Sequence, residues 1–348
     1  MAMLAGGVAA LGLALRENAR RRARIEFKGR TVVITGGSRG LGLVLARHLA
    51  SEGANLALLA LDGAELELAR QELDGYDAGV MALVCDIRDP EQIEQAFRQI
   101  AGHFGRIDIL INNAGIIQVG PLEHIQTNDF QDAMAIHFWG PLYATFTAVA
   151  YMRRQAFGRI INITSIGGEV AIPHLLPYTA SKFAMLGLSD GLRAELSKAG
   201  ISVTTVTPGL MRTGSHVNAL FKGRHRQEYA WFSIFAALPL VSIDVNRAAR
   251  QIIAAGRYGD PHLVITLPAR ILIVLNHVFP GLVAGIAKLA NRLMPLPEPH
   301  WGDLTKTGWD SQSFYSPSFL TMLADQAVAR NNQLRGHDPI VKRGSGVK

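Results

Sequence analysis

The chain has 348 residues, of which 49% are hydrophobic and 18% are charged, and its formal net charge is +7. That length is enough for one large domain with a full core and extensions. A single cysteine, Cys85, excludes an intrachain disulfide framework and a zinc cluster built from cysteines, and we predict no metal site. The basic residues form no recognisable nucleic-acid motif, so we expect no nucleic-acid partner.

The first 27 residues join an apolar run to a basic one. Residues 1–15, MAMLAGGVAALGLAL, are shorter than the about 20 apolar residues of a spanning helix. They also lack the basic start and the clear cleavage site of a signal peptide. Arginine-rich residues 16–24 follow, an order that keeps the later chain on the cytoplasmic side. We predict a membrane anchor or interfacial helix at 1–15 and a basic linker at 16–27. The alternative is a helix lying loosely on the protein.

From Arg30 onward, short apolar runs alternate with helical patterns. The predicted strands are residues 30–35, 55–60, 80–86, 107–115, 158–165, 201–209 and 262–268. The predicted helices include residues 41–53, 65–73, 89–105, with Asp89 as its cap, and one long stretch at 127–156. Such alternation is typical of a parallel sheet covered on both faces. We predict an α/β fold over residues 28–270, a doubly wound sheet of about seven strands with helices on both faces.

A glycine-rich turn and several polar residues fall at the ends of the predicted strands. The turn TGGSRGLG, residues 35–42, follows the first strand and begins the first helix. Glycine lets a backbone approach a pyrophosphate closely, and a helix N-terminus presents free N–H groups to it. Asp86, Asn112, Ser165 and Pro208 close or follow later strands, where ligands of such sheets bind.

Tyr178 and Lys182 lie four residues apart in PYTASKFAM, residues 177–185. In a helix, both side chains leave the same face, one turn apart. An ammonium close to a phenol favours the phenolate and lowers the pKa of the tyrosine. The alternative is a simple surface contact.

Together these motifs resemble the classical short-chain dehydrogenase/reductase family, in a membrane-associated type with a C-terminal extension. The matching elements are TGGSRGLG (35–42), Asp86, NNAG (112–115), Ser165, YTASK (178–182) and PG (208–209). They keep the order and spacing of the family over residues 28–268. The resemblance implies a Rossmann-type fold, a homodimer or homotetramer, and hydride transfer between a nicotinamide and a carbonyl or secondary alcohol.

The resemblance also implies site residues. Tyr178 would be the general acid or base, Lys182 would lower its pKa and hold the nicotinamide ribose, and Ser165 would bond the substrate oxygen. His137 stands where the family carries an asparagine, so it would either supply the same backbone function in catalysis or only pack near the site. The predicted substrate contacts are Ser165, His174 and Tyr178. The predicted cofactor contacts are Gly36, Ser38, Arg39, Gly40, Leu41, Gly42, Asp86, Ile87, Asn113, Ala114, Gly115, Tyr178, Lys182, Pro208, Gly209 and Thr213.

Two positions favour NADP(H) as the cofactor, with NAD(H) possible. Members of the family that use NAD carry an acid at the end of the second strand, where this chain has Ala60 and Leu61, with Asp62 too far along. Arg39 precedes Gly40, where a basic residue in the family pairs with the 2′-phosphate. Alternatively, Arg39 is a solvated loop cation.

Residues 218–240 include four aromatic side chains, Tyr229, Trp231, Phe232 and Phe235. We predict an apolar lid and a small apolar carbonyl or alcohol substrate; the alternative is that these aromatic residues belong to the core or to a subunit interface.

Two other functions stay open. A 3-ketoacyl reductase acting on carrier-bound chains would use the basic cluster Lys222, Arg224, His225 and Arg226 to attract an acidic carrier. A non-catalytic redox sensor or scaffold would bind the cofactor but need not keep a proton donor.

Residues 271–348 form the predicted C-terminal extension. The interrupted apolar stretch 271–295 predicts amphipathic helices that cover the domain or rest on a membrane surface. Residues 316–333 predict a helix capped by Ser316, before a polar tail. We therefore expect the protein on the cytoplasmic side of a membrane, anchored or peripheral.

Overall fold

A computed structural model describes residues 17, 18, 20–299 and 301–333. The predicted anchor at 1–15 and the polar tail beyond residue 333 lie outside the described residues.

Seven parallel strands form the central sheet. They are β1 (Thr31–Thr35), β2 (Asn55–Ala60), β3 (Val80–Val84), β4 (Ile109–Asn112), β5 (Gly158–Ile163), β6 (Ile201–Pro208) and β7 (His262–Ile265). Their order across the sheet is β7–β6–β5–β4–β1–β2–β3. This confirms the predicted doubly wound parallel sheet, and the order reverses between β1 and β4, where ligands of such folds bind.

Helices cover both faces of the sheet. They are α1 (Gly40–Ser51), α2 (Gly63–Leu73), α3 (Pro90–Phe104), α4 (Thr127–Met134), α5 (Gly140–Arg154), α6 (Leu176–Leu196), α7 (His225–Ala237) and α8 (Val245–Tyr258). Because side chains alternate along a strand, Val32 and Ile34 face the cluster formed with α1, α2 and α8, whereas Val33 faces the cluster formed with α3 and α5. Both faces are apolar, as a buried parallel sheet requires.

Two predicted boundaries differ from the structure. The long helix predicted at 127–156 is divided by a π-helical turn, Ala135–Trp139, between α4 and α5; such wide turns occur mostly at functional sites. The packed domain also begins before residue 28, because Ile25 and Phe27 join the core. Arg20 in the basic segment donates from Nε to Oδ1 of Asp260 at 2.7 Å, so this part of the predicted linker lies against the domain.

Three further helices follow the sheet, α9 (Leu267–Val278), α10 (Pro280–Leu293) and α11 (Met322–Arg330). α11 begins at Met322 and not near Ser316, because the Ser316 hydroxyl is buried against Ser233 Oγ at 2.8 Å and caps no helix. No single helix in the described part of the chain has the length and apolarity to cross a membrane. The pair α9–α10, bent by 120°, meets those criteria only as a broken unit.

Candidate active site

The glycine turn between β1 and α1 has the backbone geometry that its sequence requires. Gly36 and Gly40 have φ values of +64° and +58°, which glycine adopts without strain. A Cβ on Gly42 would overlap the carbonyl oxygen of Gly36, so α1 can begin directly beneath the turn. Asn113 holds the turn from the neighbouring strand, since its Nδ2 donates to the carbonyls of Thr35 and Gly36 at 3.0 Å.

A cavity of about 390 Å³ runs from this turn along the carboxyl edge of the sheet. Of the predicted cofactor residues, all line the cavity except Gly42, which packs beneath the turn. The structure therefore brings together residues from the ends of β1, β3, β4, β5 and β6, as the motifs predicted.

Ser165, Tyr178 and Lys182 meet at the other end of the same cavity. Ser165 follows β5; its Oγ accepts from the N–H of Gly167 at 3.0 Å, and its interaction with the Tyr178 side chain lowers the pKa of that phenol. Lys182, on α6 one turn after Tyr178, donates from Nζ to the carbonyl of Ile163 at 3.0 Å. Its Nζ lies 5.8 Å from the centre of the Tyr178 ring. The three groups can hold a carbonyl or alcohol oxygen between a hydroxyl donor and a proton donor.

Burial dominates the proton affinities of this group. It raises the pKa of Tyr178 above its usual 10.0, against the hydrogen bond with Ser165, which lowers it. It lowers the pKa of Lys182 from 10.5 to about 7. The predicted depression of the tyrosine pKa is therefore not found, because burial raises the pKa of the phenol and also disfavours the nearby ammonium. The phenol stays protonated at neutral pH and is ready to act as an acid.

His137 lies in the π-helical turn and is buried. Its Nε2 accepts from the N–H of Ile116 at 3.1 Å, so the ring proton is on Nδ1, which donates to Ser181 Oγ at 2.7 Å. Ser181 in turn donates to the carbonyl of Tyr178 at 2.9 Å. Burial, assisted by Lys182, lowers the pKa of His137 well below 6.5. The neutral ring thus joins the NNAG segment to the helix that carries Tyr178.

The cavity wall beside the glycine turn contains an acid that the sequence did not predict. Glu65, in the first turn of α2, accepts from Arg39 Nη1 at 2.9 Å and from Ser38 Oγ at 3.0 Å. Burial raises the pKa of Glu65, and the charge of Arg39 opposes that shift. The predicted absence of an acid concerned residues 60–62 at the end of β2. Asp62 caps α2 by accepting from the N–H groups of Ala64 and Glu65, and Glu65 lies in the turn that follows. Arg39 is therefore paired and not a free loop cation.

Two predictions about substrate contacts differ from the structure. His174 does not line the cavity; its Nδ1 is 2.8 Å from Glu228 Oε1, while the adjacent Leu175 lines the wall. Of the four aromatic residues predicted in the lid, only Phe232 lines the cavity. Tyr229 is instead buried in the core.

One member of the basic cluster predicted for carrier docking, Lys222, is buried. Lys222 is only 2% exposed and pairs with Asp129 Oδ2 at 2.7 Å, so its charge is not available at the surface.

Replacing Lys182 by Met should stabilise the unliganded protein most at low pH. With a folded pKa of about 7 and an unfolded value near 10.4, the unfolded chain binds the extra proton between these values, so wild-type stability rises with pH through that window. We therefore expect the melting temperature of Lys182→Met to exceed that of wild type at pH 6, with a gap that closes toward pH 9. Thermal unfolding at several pH values measures this, with the exposed Lys198→Met as control; a pH-independent gap would contradict it.

Comparison with known proteins agrees with this geometry. A sequence model described as short chain dehydrogenase matches residues 30–221. The chain is 35% identical over 203 residues to dehydrogenase/reductase SDR family member 7B of Mus musculus, covering 57% of this chain and 63%, under two thirds, of that protein. It is 31% identical over 197 residues to 3-oxoacyl-acyl-carrier-protein reductase MabA of Mycobacterium avium, covering 57% and 73%.

A solved structure shares the fold. The crystal structure of a short-chain type dehydrogenase/reductase from Mycobacterium marinum superposes with a TM-score of 0.60 at 26% identity, covering 69% of this chain and 94% of that one. With a family model matched over more than half of its length and the Ser165, Tyr178 and Lys182 group in place, the chain belongs to the short-chain dehydrogenase family.

Proposed function

We propose that this protein is an NAD(P)(H)-dependent oxidoreductase that acts on a carbonyl or secondary alcohol of a small apolar substrate. The observation that carries the proposal is a single cavity with the glycine turn at one end and Ser165, Tyr178 and Lys182 at the other. The residues present fit a dinucleotide, since a positive-φ glycine turn opens a helix at one end and a lysine lies at the other. The cofactor, when bound, supplies or accepts the hydride.

The side chains of the chain itself handle the proton. The Tyr178 hydroxyl donates its proton to the carbonyl oxygen in reduction, which leaves a phenolate, and in oxidation the phenolate form accepts the proton of the alcohol. Ser165 Oγ, fixed by the Gly167 N–H, stabilises the charge that develops on the same oxygen. Lys182 presents a buried Nζ beside them, and His137 acts through Ser181 as a positioning residue for the Tyr178 helix.

The walls near this group favour an apolar substrate. Side chains from four segments converge there and exclude water. They are Ile166, Ile172, Leu175, Leu210, Met211, Phe232 and Ala236. The intact proton donor argues against a non-catalytic sensor, and the burial of Lys222 weakens the case for docking of an acidic carrier.

Replacing Tyr178 by Phe tests the proposed chemistry. A panel of ketones and secondary alcohols, followed through the absorbance of NADPH and NADH, identifies a turned-over substrate. We then expect kcat for Tyr178→Phe to fall by roughly 10²- to 10⁴-fold, with cofactor affinity nearly unchanged because the ring still packs. The exposed Tyr76→Phe serves as control. A Phe variant that keeps the wild-type kcat would show that Tyr178 is not the proton donor.

We also propose that NADP(H) is the preferred cofactor. Ala60 and Leu61 offer no carboxylate at the end of β2, and Arg39 lies in the cavity wall. Glu65 holds the guanidinium of Arg39 in place but adds a negative charge beside it, so it tempers the preference.

Arg39 and Glu65 should shift cofactor selectivity in opposite directions. Arg39→Ala removes a charge-assisted bond that only the 2′-phosphate can accept, so we expect NADPH binding to weaken by roughly tenfold or more and NADH binding to change much less. Glu65→Gln removes a repelling charge while keeping a hydrogen-bonding side chain, and should strengthen NADPH binding. Fluorescence titration of both cofactors measures the ratio; equal losses for NADPH and NADH in Arg39→Ala would refute the assignment.

We propose, finally, that the protein associates with the cytoplasmic face of a membrane. The motive is an exposed apolar stripe at helical spacing, flanked by exposed Arg270, Lys288 and Arg292, which is the composition of an interfacial helix pair. The stripe consists of Leu267, Ile271, Val274 and Val278 on α9 and Leu282, Ile286, Leu289 and Leu293 on α10. The sequence of residues 1–15 supplies a second candidate contact. A homodimer or homotetramer stays a prediction from the family.

Fractionation with a high-salt wash separates the two membrane contacts. We expect full-length protein in the membrane fraction, partial release of a shortened chain that begins at Glu17 and so keeps Arg20 and Ile25 against the domain, and further release when Ile286→Glu and Leu289→Glu are added. The same charge change off the stripe, Ala284→Glu with Asn291→Glu, is the matched control and should leave the distribution unchanged. Full-length protein found in the soluble fraction without detergent would contradict the proposal.

A further inference from the structure

The segment that follows α11 lies against the glycine turn. Asn331, Asn332 and Gln333, here called the C-terminal strap, make specific contacts with it. The N–H of Gly40 donates to the carbonyl of Asn331 at 2.8 Å. Asn332 Nδ2 donates to the carbonyl of Ser38 at 3.0 Å and to that of Glu65 at 3.2 Å. The strap therefore lies on the wall of the proposed cofactor site formed by β1, α1 and α2.

The strap is also bonded to the loop that follows β6. Asn331 Nδ2 donates to the carbonyl of Thr213 at 3.1 Å, and Asn218 Nδ2 donates to the carbonyl of Gln333 at 3.2 Å. Thr213, Asn218 and Gln333 all line the same cavity as the glycine turn. The strap thus bridges two walls of the cavity, and its burial is nearly complete, since Asn331 and Gln333 are 3% and 2% exposed.

The orientation of the Gln333 amide follows from its neighbour. Because Asn218 bonds a main-chain carbonyl, the atom it presents must be its nitrogen, and that nitrogen is also 2.7 Å from Gln333 Oε1. The opposite side of the Gln333 amide, Nε2, is directed at Gly40 and lies 2.6 Å from where a Cβ on that glycine would be. The amide donor of a buried side chain is therefore aimed at the first residue of α1 without a hydrogen-bond partner among the described residues.

This donor stands where an anion would be favoured. α1 is 12 residues long, and the N-terminus of such a helix carries a partial positive charge and unpaired N–H groups. The Gly40 N–H is already used by the strap, so Gln333 Nε2 adds a donor at a point where the helix has lost one. A neutral amide can bond a phosphate oxygen without the desolvation cost of a buried cation.

We propose that Gln333 is a further cofactor-binding residue, whose Nε2 donates to the phosphates of the dinucleotide, and that the strap forms part of the site. The inference rests on the proposed NAD(P)-dependent function and extends it to a residue outside the segment matched by the family model. Because the pyrophosphate is common to both cofactors, Gln333 should contribute equally to NADH and NADPH, unlike Arg39.

Two substitutions separate phosphate binding from a merely structural role. Gln333→Met keeps the length of the side chain but removes the amide. Gln333→Glu keeps an oxygen that can accept from Asn218 but replaces the donor with a carboxylate, which repels phosphate. Phosphate binding predicts the affinity order wild type, then Met, then Glu. A structural role, in which only the bond to Asn218 matters, predicts that Glu resembles wild type and that Met is weaker.

The measurement is calorimetric titration of the unliganded proteins with ADP-ribose, NADH and NADPH, and with adenosine, which lacks phosphate. We expect Gln333→Met to lose roughly tenfold for the three phosphate-containing ligands, Gln333→Glu to lose more, and adenosine binding to be unchanged. Melting temperatures of the unliganded variants check folding.

Four results would overturn the inference. Wild-type affinity for ADP-ribose in Gln333→Glu would leave only a structural role. Tighter binding in either variant would show that the strap obstructs the site. Wild-type protein that binds no dinucleotide would overturn the proposed function as well, whereas equal binding by all three proteins overturns the role of Gln333 alone.

Discussion

Parallel pairing of seven strands is the constraint on which the rest of the site depends. In a parallel sheet the carboxyl ends of all strands lie at the same edge, so residues that are far apart in the chain come close together there. Asn113 at the end of β4 can then hold the glycine turn after β1, and Ser165 after β5 can meet the helix that carries Tyr178 and Lys182. Both faces of the sheet are apolar and are covered by helices. The polar side chains therefore gather at this edge.

Tyr178 and Lys182 lie in a buried environment that disfavours the charged form of each side chain. Lys182 is only 5% exposed and lies beside the neutral ring of His137 and the protonated phenol of Tyr178. Removing a charge from water costs free energy unless partners compensate it, and here the partners are a carbonyl and a ring. His137 fits this environment because its imidazole makes two hydrogen bonds while uncharged. A side chain that links two segments replaces the asparagine usual in the family, and the π-helical turn places it between them.

The sequence predicts the sheet, the glycine turn and the proximity of Ser165, Tyr178 and Lys182 well, because each depends on a local pattern. Apolar runs indicate strands, glycines indicate positive φ, and a four-residue spacing places two side chains on one helix face. It does not predict features that depend on the packing of distant segments. The pairing of Lys222 with Asp129, the turn of α2 that brings Glu65 to Arg39, and the strap around Gln333 all join segments whose proximity only the folded chain defines. The direction of the Tyr178 pKa shift differs from the prediction for the same reason, since the spacing reveals a neighbouring lysine but not the burial that raises the pKa of the phenol.

The strap has a consequence for how the protein is made. A chain emerges from the ribosome at roughly 5–20 residues per second, N-terminal part first, and the glycine turn at residues 35–42 is therefore available long before Asn331 is synthesised. Until then the Gly40 N–H and the carbonyls of Ser38 and Glu65 lack the partners that the strap supplies. The sheet can assemble earlier, since its last strand is complete at Ile265. The wall beside the glycine turn can therefore be completed only after residues 331–333 have been synthesised, when every strand of the sheet is already present.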